Sequence, residues 1–167
     1  TLGYPNREVE RGFLFFVLPY YSPVSRDKSG FHISRFAEEL EAGSVDVFTE
    51  RLKCFFESIP YDLNDRTERH YHVVFYLVFK LLGQYIDSEV KSAKGRSDAV
   101  VTVPDGVYVF EFKLNGTAEE ALAQINTKGY LIPFSAKTDD NRKLHKIGVE
   151  FDKETKNIGR WITEEGS

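Results

Sequence analysis

An aspartate, a glutamate and a lysine interrupt one mostly apolar stretch of the chain, at Asp98, Glu111 and Lys113. From Val107 to Leu114 the residues alternate as in a β-strand. Tyr108, Phe110, Phe112 and Leu114 share one face, and Val109, Glu111 and Lys113 share the other. An acid and a base side by side on an apolar strand lose hydration, so they are expected to pair with each other or to bind something. In the preceding strand, Arg96 to Val103, the shared face carries Arg96, Asp98, Val100 and Thr102, which makes Asp98 a lone acid among apolar neighbours. The turn signal Pro104-Asp105-Gly106 joins the two strands. A two-residue loop at Pro104-Asp105 sets Asp98 directly opposite Glu111, whereas a three-residue loop with Gly106 as a bulge slips the pairing by one and separates them unless a second bulge restores the register. In the first arrangement two carboxylates and a backbone carbonyl make a hard-oxygen site suited to Mg2+ or Mn2+.

The elements that must position these groups divide the chain in two. Residues 1–85 read as mainly helical. Helices are expected over Glu8 to Tyr20, Phe31 to Ala42, Val45 to Ile59 and, from an acidic start at Asp65 to Glu68, on to about Tyr85. Val9, Phe13, Phe16 and Val17 recur at helical spacing in the first of these. The third should bury Val47, Phe48, Leu52, Phe55 and Phe56, and the last is apolar on most sides and should lie centrally. From Ile86 the period becomes two, with strands expected at Ile86 to Ser92, Arg96 to Val103, Val107 to Leu114, Leu144 to Phe151 and Ile158 to Ile162. Between them, Thr117 and Glu120 form a capping box for a helix to about Lys128 with Ala118, Ala121, Leu122 and Ile125 on one face. Ser135 to Arg142 is polar and reads as a loop.

Composition narrows the function classes. A chain of 167 residues with 14 Phe and 9 Tyr can build one core without disulfide or metal staples. Its one cysteine, Cys54, lies in the apolar run Leu52 to Phe56 and is expected to be a buried structural thiol, which suits a reducing, cytoplasmic setting. The longest apolar run, Val73 to Phe79, is far short of the roughly 20 residues a membrane helix needs. Methionine is absent, so the chain is expected to be a piece of a longer protein. A net charge of −4 argues against binding nucleic acid through bulk electrostatics, yet residues 91–146 carry 9 basic against 7 acidic side chains. Arg96 and Lys128 in that stretch are candidate phosphate contacts, and Arg96 is equally placed to neutralise Asp98. His70 and His72 project from different sides of one helix, so neither they nor His145 make a convincing zinc or general-base set.

The segment GRSDAVVTVPDGVYVFEFKLNGTAEEALAQI, with its acid, hairpin, E-x-K and a helix bearing Gln124, resembles the PD-(D/E)XK phosphodiesterase superfamily. More narrowly, the whole chain, from YPNREV through SIPYD and EEALAQINTKGY to HKIGVEF, resembles the nuclease-like C-terminal domain that follows an AAA-ATPase-like domain in a large family of bacterial proteins. Ser97 stands where the superfamily name has proline. The resemblance implies one domain over residues 1–167, of α/β (α+β) class: a mixed sheet of about five strands flanked by helices, a restriction-endonuclease-like core with an N-terminal helical part. It also implies that Asp98, Glu111 and the carbonyl of Phe112 bind Mg2+ or Mn2+, with Glu68 as an extra helical acid, or simply a capping residue answering Asp65. Lys113 would orient or deprotonate the attacking water. Gln124 and Tyr130 would hold the motif or contact the backbone phosphate, with packing an equal role for Tyr130. The partners implied are nucleic acid, DNA first, and an ATPase-like domain in the same full-length chain. The rival expectation is a catalytically silent nucleic-acid or protein interaction module that keeps the same residues as a structural network.

Overall fold

The computed structural model describes residues 6–17, 26–58, 68–85, 90–92, 99–128, 142–152, 154–155 and 157–166. Four helices come first: α1 (Arg7–Val17), α2 (Arg26–Glu41), α3 (Val45–Glu57) and α4 (Glu68–Tyr85). They are followed by β1 (Val90–Ser92), β2 (Ala99–Val103), β3 (Gly106–Lys113), α5 (Ala118–Lys128), β4 (Lys143–Asp152) and β5 (Asn157–Gly166). The strands form one mixed sheet in the order β1-β2-β3-β4-β5, with β3 and β4 parallel and every other pair antiparallel. A parallel pair needs a crossover, and α5 supplies it. This is the α+β class, mixed sheet and helical N-terminal part that the sequence predicts.

Strand alternation decides what lies on each side of the sheet. Tyr108, Phe110 and Phe112 of β3, with Ile147, Val149 and Phe151 of β4, join the large core built by α1 to α4. Val107 and Val109 face the other way and meet Ile125, Val100, Leu122 and Leu144 beneath α5. The result is three layers, with the sheet in the middle. Phenylalanine rings fill the helical side: Phe75 lies 4.1 Å from Phe112 and 4.6 Å from Phe56, and Phe110 lies 5.3 Å from both Phe48 and Phe79. These tilted ring contacts add to the area buried between the helices and the sheet.

Polar ties fix the helices to the sheet. Gly43, at φ 71°, closes α2 with the Schellman pair Ser44 N–H to Glu39 O and Gly43 N–H to Leu40 O. Tyr108 reaches across from β3 and donates its hydroxyl to that same Leu40 carbonyl at 2.8 Å; burial, then Asp105, raises the phenol's pKa above its usual range. Asn157 donates to the Lys53 carbonyl of α3, and Trp161 Nε1 donates to Asp46 at 2.9 Å. The β4–β5 turn is set by Asp152, whose carboxylate accepts the amides of Thr155 and Glu154, which lower its pKa.

Several expectations are corrected. Cys54 is exposed. Leu52, Phe55 and Phe56 are buried around it, and at about 100° per residue position 54 turns away from that face. Val47 is likewise 53% exposed, one step off the stripe of Phe48, and in α1 Val9 and Phe16 are 46% and 56% exposed while Leu14 is buried. Helix α2 starts at Arg26 rather than Phe31, because Gly30 costs a helix only about 1 kcal/mol and does not break it. Strand β5 runs past Ile162 to Gly166, its polar residues pairing with β4 as far as Leu144. A bulge at Gly159 moves the pairing from Glu150–Arg160 to Phe151–Ile158.

Candidate active site

The site is built on the α5 side of β3. Phe112 anchors the strand from the opposite side, its ring against Phe75 and 6.0 Å from Phe79, so Glu111 and Lys113 must point toward α5. Glu111 is only 3% exposed. Lys113 Nζ lies 3.3 Å from its Oε1, which places an ammonium beside a carboxylate drawn out of water. Gln124 descends from α5 to complete the group. Its amide oxygen accepts from Lys113 and its amide nitrogen donates to Glu111 Oε1. The amide orientation follows from the charges, because the flipped form would set NH2 against the ammonium and oxygen against the carboxylate. The capping box holds that helix in place: Thr117 N–H donates to Glu120 at 2.9 Å and Glu120 N–H donates to the Thr117 hydroxyl at 3.2 Å.

Two residues of the site have no signal in the local sequence, Gly148 and Glu150 of β4. The parallel register puts Gly148 beside Glu111 and Glu150 beside Lys113. A methyl group on Gly148 would run into the Ala118 carbonyl and come within 2.9 Å of the Leu122 nitrogen, so the missing side chain lets α5 sit on the sheet. Glu150 Oε2 accepts the Ala118 N–H at 3.2 Å.

The other expected site residues are placed as follows. Phe112 contributes the strand backbone between Glu111 and Lys113. Lys128 closes α5, exposed and one turn beyond Gln124. His145 is buried on the opposite face, stacked on Tyr108 with ring centroids 4.7 Å apart, so it takes no part in the site. Glu68 is the first residue of α4, and the side chains of Glu68, His70 and His72 lie outside the description. Asp98, Arg96 and Tyr130 also lie outside the described residues. The β2–β3 hairpin has the two-residue loop, pairing Val103 with Gly106 and continuing to Ala99 with Phe110. Among the described residues no group of three His, Cys, Asp or Glu could hold a metal ion. Glu111 supplies the hard, buried carboxylate oxygen that a small divalent cation requires.

The profile of the PD-(D/E)XK nuclease superfamily matches residues 66–161, more than half of the chain and all of α4, the sheet as far as Trp161, and α5. The chain belongs to this superfamily. It is also 32% identical, over 174 aligned positions and 98% of its length, to a protein of Azotobacter chroococcum mcd 1 described as an "uncharacterized protein in vnfD 5'region". The chain spans about a third (32%) of that relative's length. No solved structure matches it. Among the described residues no helix is long and apolar enough to cross a membrane.

Proposed function

We propose that this chain is a nuclease domain that hydrolyses phosphodiester bonds of nucleic acid, DNA in the first instance, with Mg2+ or Mn2+. The observation that carries the reading is Glu111, a buried carboxylate gripped by Lys113 and Gln124 on the E-x-K strand, within the residues that match the superfamily. Asp98 and Glu111, with the Phe112 carbonyl, would hold the cation, and Glu68 would add a helical acid. The hairpin register this requires is the one found from Ala99–Phe110 to Val103–Gly106. Bound there, the cation would supply charge stabilisation at the phosphate and a more acidic water. Lys113 holds a positive charge beside Glu111, where it orients a water and offsets negative charge on the phosphate. Gln124 keeps that ammonium and carboxylate in register. Arg96, Lys128 and Tyr130 would bind the nucleic-acid backbone.

The test is cleavage of supercoiled plasmid with Mg2+ or Mn2+. Asp98→Ala, Glu111→Ala and Lys113→Ala are each expected to lower cutting by about 100-fold or more, as when one charge-stabilising group is removed from an active site. Metal-dependent cutting that survives Asp98→Ala or Lys113→Ala would sink the reading.

A second reading has its own support. Glu111 Oε1, Lys113 and Gln124 bond one another in a closed triangle, and the net charge is −4, as a silent interaction module would allow. Calorimetric Mg2+ binding abolished by Asp98→Ala, together with cleavage, excludes it. An ATPase-like domain in the same full-length chain is part of the leading proposal; the greater length of the Azotobacter relative supports a longer protein.

A further inference from the structure

Gln124 can bridge Glu111 and Lys113 only while α5 keeps one position over the seam between β3 and β4. The residue lies six positions beyond Ala118, about 9 Å along the helix axis at 1.5 Å per residue. A slide of about 1 Å at the first turn therefore carries through the rigid helix and breaks both contacts, since hydrogen bonds weaken steeply with distance and angle. Two residues of β4, both on the α5 face, define that first turn. Gly148 leaves room for the Ala118 carbonyl and the Leu122 amide to rest on the strand, which sets the height of the helix. Glu150, two residues on, accepts the Ala118 N–H at 3.2 Å, which sets its position along the strand. The same β4 residues flank the motif: Gly148 is the register partner of Glu111, and Glu150 of Lys113. The Glu119–Arg160 ion pair at 2.6 Å also joins this turn to the sheet, but both side chains are more than half exposed and water screens it.

We infer that Glu150 is a positioning residue: its hydrogen bond to the Ala118 amide fixes the register of α5 so that Gln124 meets Glu111 and Lys113. Its role at the active site rests on the nuclease reading, whereas the tether itself does not. What matters is an acceptor at the right reach, not the charge. Glu150→Gln keeps the reach and an amide oxygen, while Glu150→Asp keeps the charge and withdraws the acceptor by one methylene.

The experiment follows the Gln124 side-chain NH2 pair in 15N–1H spectra of the full chain, identified by its loss in Gln124→Ala. In the wild-type protein it is expected to stand apart from free glutamine amides and to exchange slowly. Glu150→Gln should leave it in place, and Glu150→Asp and Glu150→Ala should move it toward the free position. His145 ring signals, from the far face of the sheet, report whether each variant is folded. If Glu150→Ala fails to fold, the contrast between Gln and Asp decides alone. In cleavage assays Glu150→Asp should lower kcat by about 10–100-fold at unchanged KM, the usual scale for residues that orient active-site ligands, with no further loss when Gln124→Ala is added. The proposal is overturned by Asp retaining the Gln124 signature while Gln loses it, or by neither altering it. A wild-type protein that does not cut defeats the nuclease reading and leaves the spectra to decide the tether.

Discussion

At the scale of single residues, Gln124 stands between opposite charges, and this makes it more sensitive to substitution than its half-buried position suggests. Gln124→Ala removes a donor from Glu111, which is buried, and an acceptor from Lys113. Glu111 Oε1 keeps Lys113 at 3.3 Å, so a loss of about 1–2 kcal/mol is expected for the charge-assisted bond removed, with a fall in Tm of about 2–4 °C per kcal/mol at this chain length, read by thermal unfolding. Gln124→Glu should be worse, because it sets a second carboxylate against Glu111, whereas Glu111→Gln, which removes a buried charge, should raise stability and, on the nuclease reading, end metal binding and cleavage. That opposition separates a site strained for function from one that serves the fold. Tyr108→Phe makes a useful contrast. It deletes the bond to Leu40 O, yet that carbonyl keeps the Gly43 amide, so only about 1 kcal/mol should be lost and cleavage should be untouched.

Among the elements, α5 is the one whose placement creates the site, and Gly148 is its seat. Gly148→Ala drives a methyl group into helix backbone that has no rotamer by which to escape, so a loss of about 1–3 kcal/mol or more is expected by urea unfolding. Cleavage should fall with it, since a raised helix withdraws Gln124. Much of this element was legible in the sequence. Thr117 and Glu120 mark its start, Ala118, Ala121 and Ile125 mark its buried face, and the strict alternation of VYVFEFKL marks the strand beneath it. These signals are local, set by covalent period and by caps three residues apart. Gly148 and Glu150 were not legible because their meaning depends on the parallel pairing of β3 with β4, a register fixed only after a crossover of some thirty residues has folded. Val47, Phe16 and Cys54 misled for a related reason. Apolar type shows which residues may be buried, but the angle of each helix on its neighbours decides which are.

For the molecule as a whole, the three layers place a titratable group where the folded state takes up a proton less readily than the unfolded chain. His145 lies in the sheet between Tyr108, on which it stacks, and the helical core, with Lys143 two residues before it and Glu165 opposite on β5. Burial lowers its pKa below the usual 6.5; Glu165 opposes that shift and Lys143 adds to it. With the folded-state pKa depressed, the unfolded chain takes up the proton first as pH falls. Above about 6.5 both states hold a neutral ring and His145 contributes no pH dependence; below it, stability declines until the folded state also protonates. Thermal unfolding between pH 8 and 5 should therefore show a falling Tm in the wild-type protein and a shallower fall in His145→Phe, which keeps a ring on Tyr108 but binds no proton. Equal slopes in the two proteins would mean that the ring reaches solvent without unfolding, and the acid loss would then have to come from the carboxylates. Because His145 faces away from Glu111, the same substitution should leave the pH profile of cleavage unchanged, so one variant separates the titration of the fold from that of the site.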